Sequence, residues 1–117
     1  MKLVYIASPY SGHNEDLEQE RFEKVRDFTA DTMQDIMKHG CVPFSPIVHC
    51  HEIAQVHALP KGHEFWMTLD KTFIRHADEL WVLMLDGWKE SKGIKMEIEF
   101  AESIMIPVKY CTGELNE

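Results

Sequence analysis

The sequence predicts an α/β protein, a parallel sheet of four to five strands with helices on both faces. Three observations carry this. Short apolar, β-branched runs alternate with segments of helical period, the pattern of strands joined by right-handed helical crossovers. The breaks fall at clusters of Ser, Pro, Gly and Asp, which punctuate elements. No internal repeat, linker or low-complexity tract interrupts the pattern, and 117 residues suffice for one core but not two. Residues 1–117 are therefore read as one domain.

Taken in order, residues 3–7 form a short apolar strand, broken by Ser8, Pro9, Tyr10, Ser11 and Gly12. A long helical pattern is expected over residues 16–39. It places Phe22, Val25, Phe28, Thr29, Thr32, Met33 and Ile36 on one face, Arg21 at that face's edge, and Gly40 where a terminating glycine belongs. Residues 41–45 read as a second strand, closed by Pro46. Over residues 47–62 the periodicity is lost and a loop is expected, with His49, His51, His57 and His63 in it or just after it. Residues 64–76 regain a helical period, with Phe65, Leu69 and Phe73 on one side and Trp66, Asp70 and Ile74 on an adjacent stripe. A last strand is expected near residues 108–110, then a polar, frayed tail.

The stretch around which the chain is organised is residues 80–101, LWVLMLDGWKESKGIKMEIEFA. Residues 80–85 suit a strand buried on both faces. The turn holds Asp86, Gly87, Ser91 and Gly93. On the helix that follows, Lys95, Glu99, Glu102 and Ser103 share one side, and Ile94, Met96, Ile98, Phe100, Ala101, Ile104 and Met105 fill the rest. Glu97 falls inside the apolar arc, where a carboxylate is costly unless paired or used.

A net charge of −8 argues against binding a nucleic-acid polymer, whose backbone calls for clustered Lys and Arg. It leaves room for a small anionic ligand held by backbone N–H groups and one Arg. Cys41, Cys50 and Cys111 lack CxxC spacing, so neither a disulfide framework nor a zinc ribbon is expected, and a reducing, cytoplasmic setting follows. The apolar run at the N-terminus is too short for a signal peptide or a membrane span.

In parallel sheets ligands bind beyond the carboxyl ends of the strands. The loops expected there are residues 8–12, 46–62 and 86–93. Glu97, near a helix start, is expected to be kept ionised by the dipole and suits attack on a sugar's anomeric carbon; the competing use is a Glu tucked against a Lys or Arg. Asp70 could protonate a leaving group, or be a surface Asp beside Lys71 and Arg75. Ser91 and Gly93, like Ser8, Ser11 and Gly12, could hold an anion, and Ser91 could equally be an ordinary helix cap. His49 and His51 with Cys50 show no closed metal-ligand spacing, so no metal is expected. With Trp66 and Trp88 these histidines could wall a pocket for a flat ring. Neither GxGxxG nor a Walker loop occurs, and no cofactor is expected.

Several motifs together carry a resemblance: YIASPYSG at residues 5–12, Arg21-Phe22, FSPIVHCH at 44–51, Phe65-Trp66 with Asp70, and LDGWKESKGIKMEIEFA at 85–101. Over residues 1–110 the chain resembles the small phage and bacterial branch of the nucleoside 2-deoxyribosyltransferase-like superfamily. That superfamily includes 2′-deoxynucleoside 5′-phosphate N-hydrolases. The resemblance implies a flavodoxin-like (Rossmann-like) sheet, Glu97 as nucleophile, Tyr5 in contact with it, and Asp70 as the second carboxylate. It also implies a homo-oligomer. At residue 91 the transferases tend to carry an Asp for the sugar 5′-hydroxyl and the hydrolases a Ser for a 5′-phosphate, so Ser91 points to nucleoside 5′-monophosphates, with Ser11, Gly12 and Arg21 assisting. The expected activity is N-glycosidic cleavage of (deoxy)nucleoside 5′-monophosphates. The alternatives are base exchange on nucleosides and a non-catalytic nucleotide-binding module.

Overall fold

The computed structural model describes residues 1–10, 14–56, 59–60 and 62–112. Ser11, Gly12 and His57 lie outside the described residues. The elements run β1 (Lys2–Ala7), α1 (Glu15–Gln34), α2 (Ile36–His39), β2 (Cys41–Phe44), α3 (Pro46–Val56), α4 (His63–Arg75), β3 (Glu79–Leu83), α5 (Lys92–Ser103) and β4 (Val108–Cys111). Among the described residues the sheet has four strands, all parallel, in the order β2-β1-β3-β4. The α/β class with helices on both faces is as the sequence predicts, and the arrangement is consistent with a flavodoxin-like fold.

The central strand decides where everything else sits. Tyr5 is paired with Phe44 on one side and Leu80 on the other, and successive side chains of β1 point to opposite faces. Val4 and Ile6 enter a core shared with Val25 and Phe28 of α1. Tyr5 and Ala7 enter the opposite core, shared with Ile74 of α4 and with Ile94 and Ala101 of α5. Each fully buried Ile or Leu in these cores contributes about 1.5–3 kcal/mol. The chain leaves β1 toward β2 on one side and returns to β3 on the other, so the crevice beyond β1 and β3 is the topological switch point of the sheet.

Four local expectations are corrected. The helical pattern over residues 16–39 breaks at Asp35, which ends α1 with φ −134° and ψ 66°. Its carboxylate then accepts from the Lys38 N–H at 2.9 Å, capping α2. Met33, expected on the inward face, is half exposed. Residues 46–56 are a helix rather than a loop. The Ser45 hydroxyl accepts from the Val48 N–H at 3.2 Å and Pro46 takes the first helical position, where its missing N–H costs nothing. Ser-Pro at a strand end, read as a stop, is here also a start. Gly40 has φ +67°, as a glycine past a helix end should. Met96 of α5, and Ile104 and Met105 just past its end, are exposed, so the apolar arc is narrower than its composition. No helix among the described residues is long and apolar enough to cross a membrane.

Candidate active site

Glu97 is the sixth residue of α5, and with Ile94 and Ala101 it forms the buried stripe at i, i+3 and i+7 that anchors the helix to the sheet. Its side chain is 6% exposed. From β1 the Tyr5 hydroxyl donates to Glu97 Oε2, and Tyr5 is itself 1% exposed. Asp70, half-buried on α4, completes the group. Burial pushes the Asp70 carboxyl up to about 6, against the lowering effect of its hydrogen bond with Tyr5. Burial and then the Asp70 charge push Glu97 up to about 8, again opposed by Tyr5. The Tyr5 phenol is held well above its usual range by burial and by the charges of Glu97 and Asp70, so it remains a donor.

The expectation that the helix dipole keeps Glu97 ionised is therefore corrected. The dipole's influence falls off within the first turn, and Glu97 lies beyond it. At neutral pH the two carboxyl groups together hold a proton and titrate as a pair. The bland alternatives for both acids are displaced as well. Lys71 and Arg75 each stand 5.3 Å from the Phe100 ring centroid, and no ion pair to Glu97 or Asp70 forms among the described residues.

The remaining predicted residues divide between this end of the sheet and the framework around it. Ser8 ends β1 at 7% exposure, and its hydroxyl has no hydrogen-bond partner among the described residues. Such an orphan costs about 1–3 kcal/mol and marks a place where a ligand oxygen could bond. Ser91 caps α5, its hydroxyl oxygen accepting from the Ile94 N–H at 3.2 Å, with Gly93 in the first turn. Arg21 reaches across from α1, and its Nη2 donates to the Asp86 main-chain oxygen at 3.1 Å. Asp86 thus acts here through its backbone, its side chain lying on the exposed turn. Gly87 makes this approach possible: its φ is +90°, and a Cβ there would sit 2.5 Å from Arg21 Nη2.

The structure does not bring the histidines and tryptophans together as one ring-binding wall. His49 is exposed beside Phe44 and Phe73, at centroid distances of 5.7 and 6.2 Å. His51 is buried and stacked on Phe22 at 3.9 Å. Trp66 meets the edge of Phe65, while Trp88 meets Tyr110. Both histidines were expected in a loop; on a helix, neighbours two apart diverge by about 200°, which is why they face different surroundings. Among the described residues no group of three or more His, Cys, Asp and Glu side chains could hold a metal ion.

Two contributors escaped the sequence reading. The Tyr10 hydroxyl lies 2.9 Å from His51 Nδ1, tying the segment after β1 to α3. Cys50, buried on α3, has its thiol pushed up by burial and then by the Asp70 charge. Neither carries a periodic signal, since each depends on α3 being a helix.

A concavity of about 580 Å³ runs along the outer face of α4 past Phe65, Leu69 and Phe73, away from the carboxyl pair. A smaller one of about 150 Å³ reaches Tyr5 between Phe44 and Phe73. The chemistry, not the larger hollow, locates the site. No curated protein matches this chain. Its family is nevertheless established: the model described as Domain of unknown function (DUF1937) matches residues 2–112, and the chain belongs to that family.

Proposed function

We propose that this protein is a cofactor-free N-glycosidase that cleaves the base–sugar bond of (deoxy)nucleoside 5′-monophosphates. The observation that carries the reading is the buried Glu97–Tyr5–Asp70 group, two carboxyls raised by burial and joined through one phenol. Pairs of titratable groups so perturbed, against one face of a parallel sheet, are what acid-base and nucleophilic chemistry requires.

In the resting pair Glu97 is the weaker acid and keeps the shared proton; the reactive state is the other arrangement, with that proton on Asp70 and Glu97 as the anion. The Glu97 carboxylate attacks C1′ as the C1′–N bond breaks, and the departing electron pair takes the proton of Asp70 at the base. Water then attacks C1′ of the glycosyl ester and gives its proton to Asp70, freeing (deoxy)ribose 5-phosphate and regenerating Glu97. Tyr5 steadies Glu97 throughout. A 2′-deoxy sugar eases the step, because no electron-withdrawing hydroxyl opposes the developing cation. The orphan Ser8 hydroxyl, Arg21 and the capped start of α5 with Ser91 and Gly93 form the end at which a 5′-phosphate would be held. The resemblance to the deoxyribosyltransferase-like superfamily, a homo-oligomeric state and a reducing cytoplasmic setting, in keeping with three free cysteines, belong to the same reading.

The test is chromatography of free base after incubation with nucleoside and deoxynucleoside 5′-monophosphates beside their unphosphorylated forms. Base release from monophosphates that is lost in Glu97→Gln supports the reading. Appearance of a new nucleoside when adenine or cytosine is added would instead identify base exchange, and ligand affinity without any release would identify a binding module.

A further inference from the structure

We propose that His51 is a positioning residue, which fixes the segment after β1 so that the buried Ser8 hydroxyl faces an anionic ligand without the imidazole touching that ligand. The inference rests on the nucleotide reading for its substrate. His51 is 7% exposed. Its Nδ1 lies 2.9 Å from the Tyr10 hydroxyl, and its Nε2 lies 3.2 Å from the side-chain nitrogen of Gln55. Both ring nitrogens are therefore engaged within the protein. Phe22 of α1 covers the ring face at 3.9 Å and 11°, and the Arg26 guanidinium stands 5.7 Å from the Phe22 ring centroid.

Three separate parts of the chain thus converge on one imidazole: α1 through Phe22, α3 which carries it, and the segment after β1 through Tyr10. Ser8 is two residues from Tyr10, across Pro9, whose side chain is fully buried and whose ring fixes φ. A three-residue segment anchored at one end by β1 and at the other by His51, with proline between, has little freedom. That stiffness holds the unpartnered Ser8 hydroxyl in place before a ligand arrives, so less ordering remains for binding to supply.

The experiment follows the Ser8 amide by heteronuclear NMR while the full chain is titrated with inorganic phosphate and with a 2′-deoxynucleoside 5′-monophosphate. It compares wild type, His51→Ala, His51→Asn and Tyr10→Phe, with base release measured in parallel. His51→Asn keeps a polar atom near the place of Nδ1, and Tyr10→Phe removes one oxygen from an otherwise intact chain, which guards against a misfolded alanine variant. Dissociation constants are expected to rise about tenfold in His51→Ala and about threefold in Tyr10→Phe, with His51→Asn within about twofold of wild type. Where base is released, the loss should fall on KM for the monophosphate more than on kcat. These ratios support positioning whether or not the wild type turns over; absence of turnover alone refutes the glycosidase reading. Equal affinities in wild type and both His51→Ala and Tyr10→Phe, or no phosphate-dependent shift at Ser8 in the wild type, overturn the positioning role.

Discussion

Two carboxylates on opposite faces of the sheet are almost equally shielded from solvent, and the protein treats them in opposite ways. Glu79, the first residue of β3, is 4% exposed; Glu97, on α5 over the other face, is 6% exposed. Glu79 accepts from Lys2 Nζ at 2.7 Å, from Trp81 Nε1 at 2.9 Å and from Lys109 Nζ at 3.3 Å. These bonds hold its carboxyl down to about 2. Glu97 has a phenol and a second acid for neighbours and is pushed up to about 8. Low exposure alone therefore does not set ionisation: at Glu79 donated hydrogen bonds outweigh desolvation, whereas at Glu97 burial is the largest effect and the Asp70 charge adds to it. A carboxylate surrounded by donors on three strands is a clasp, whereas one left beside another acid is available for chemistry.

The sharpest way to break this contrast is to neutralise each acid in turn. Glu97→Gln should lower base release by roughly 10³-fold or more, the scale for losing a nucleophile, while leaving the melting temperature unchanged or higher. Glu79→Gln should leave turnover within about threefold of wild type but cost about 1–2 kcal/mol of stability in denaturant unfolding. That loss is at the low end for a charged hydrogen-bond acceptor because both lysines are more than half exposed and stay solvated. If Glu79→Gln abolished turnover, or Glu97→Gln unfolded the chain, the division between clasp and reactive group would fail.

The pH dependence of stability should separate the two acids. Glu79 is depressed in the fold, so its contribution is present above its unfolded value near 4.5 and is lost as pH falls toward about 2. Glu97 and Asp70 are raised, so the native state binds the extra protons. Their contribution is complete below the unfolded values near 4.5 and 3.8 and is lost as pH rises through about 6 and then about 8. Melting curves should accordingly fall on both sides of about pH 4.5, with Glu79→Gln flattening the acid limb and Glu97→Gln the alkaline one.

Smaller effects sharpen the picture. Gly87→Ala should destabilise by about 1–2 kcal/mol through strain at positive φ, and should displace the Arg21 guanidinium that now lies against it. It should also weaken monophosphate binding without moving Glu97. Met105, at φ +66° and 90% exposed past the end of α5, offers the reverse. Met105→Gly should stabilise by about 0.5–1 kcal/mol in thermal unfolding, with no change in base release, since it relieves backbone strain far along the helix from Glu97.

Much of this was legible in residue order. The strands, Gly40 as a helix terminator, and Glu97 as a misplaced acid within an apolar arc all follow from local periodicity, because period 2 and period 3.6 are properties of consecutive residues. The helix of residues 46–56 was not, since its start signal, Ser45-Pro46, reads equally as the end of a strand, and His49 and His51 dilute its apolar stripe. Asp70 shows the same limit from the other side: Lys71 and Arg75 are the obvious partners in sequence, yet they turn to Phe100 and leave the carboxyl toward Tyr5.

By itself, then, the sequence determined the α/β class, the succession of strands and which acid would be buried on the last helix. Tertiary structure decided that acid's company, and with it the protonation of the pair, the framework role of His51 and the brace from Arg21 to Asp86. The physical reason is range. Backbone preference and amphipathic period act over a few residues, while the field and hydrogen bonds felt by a buried carboxyl come from groups that lie far off in the chain and meet only when the sheet closes.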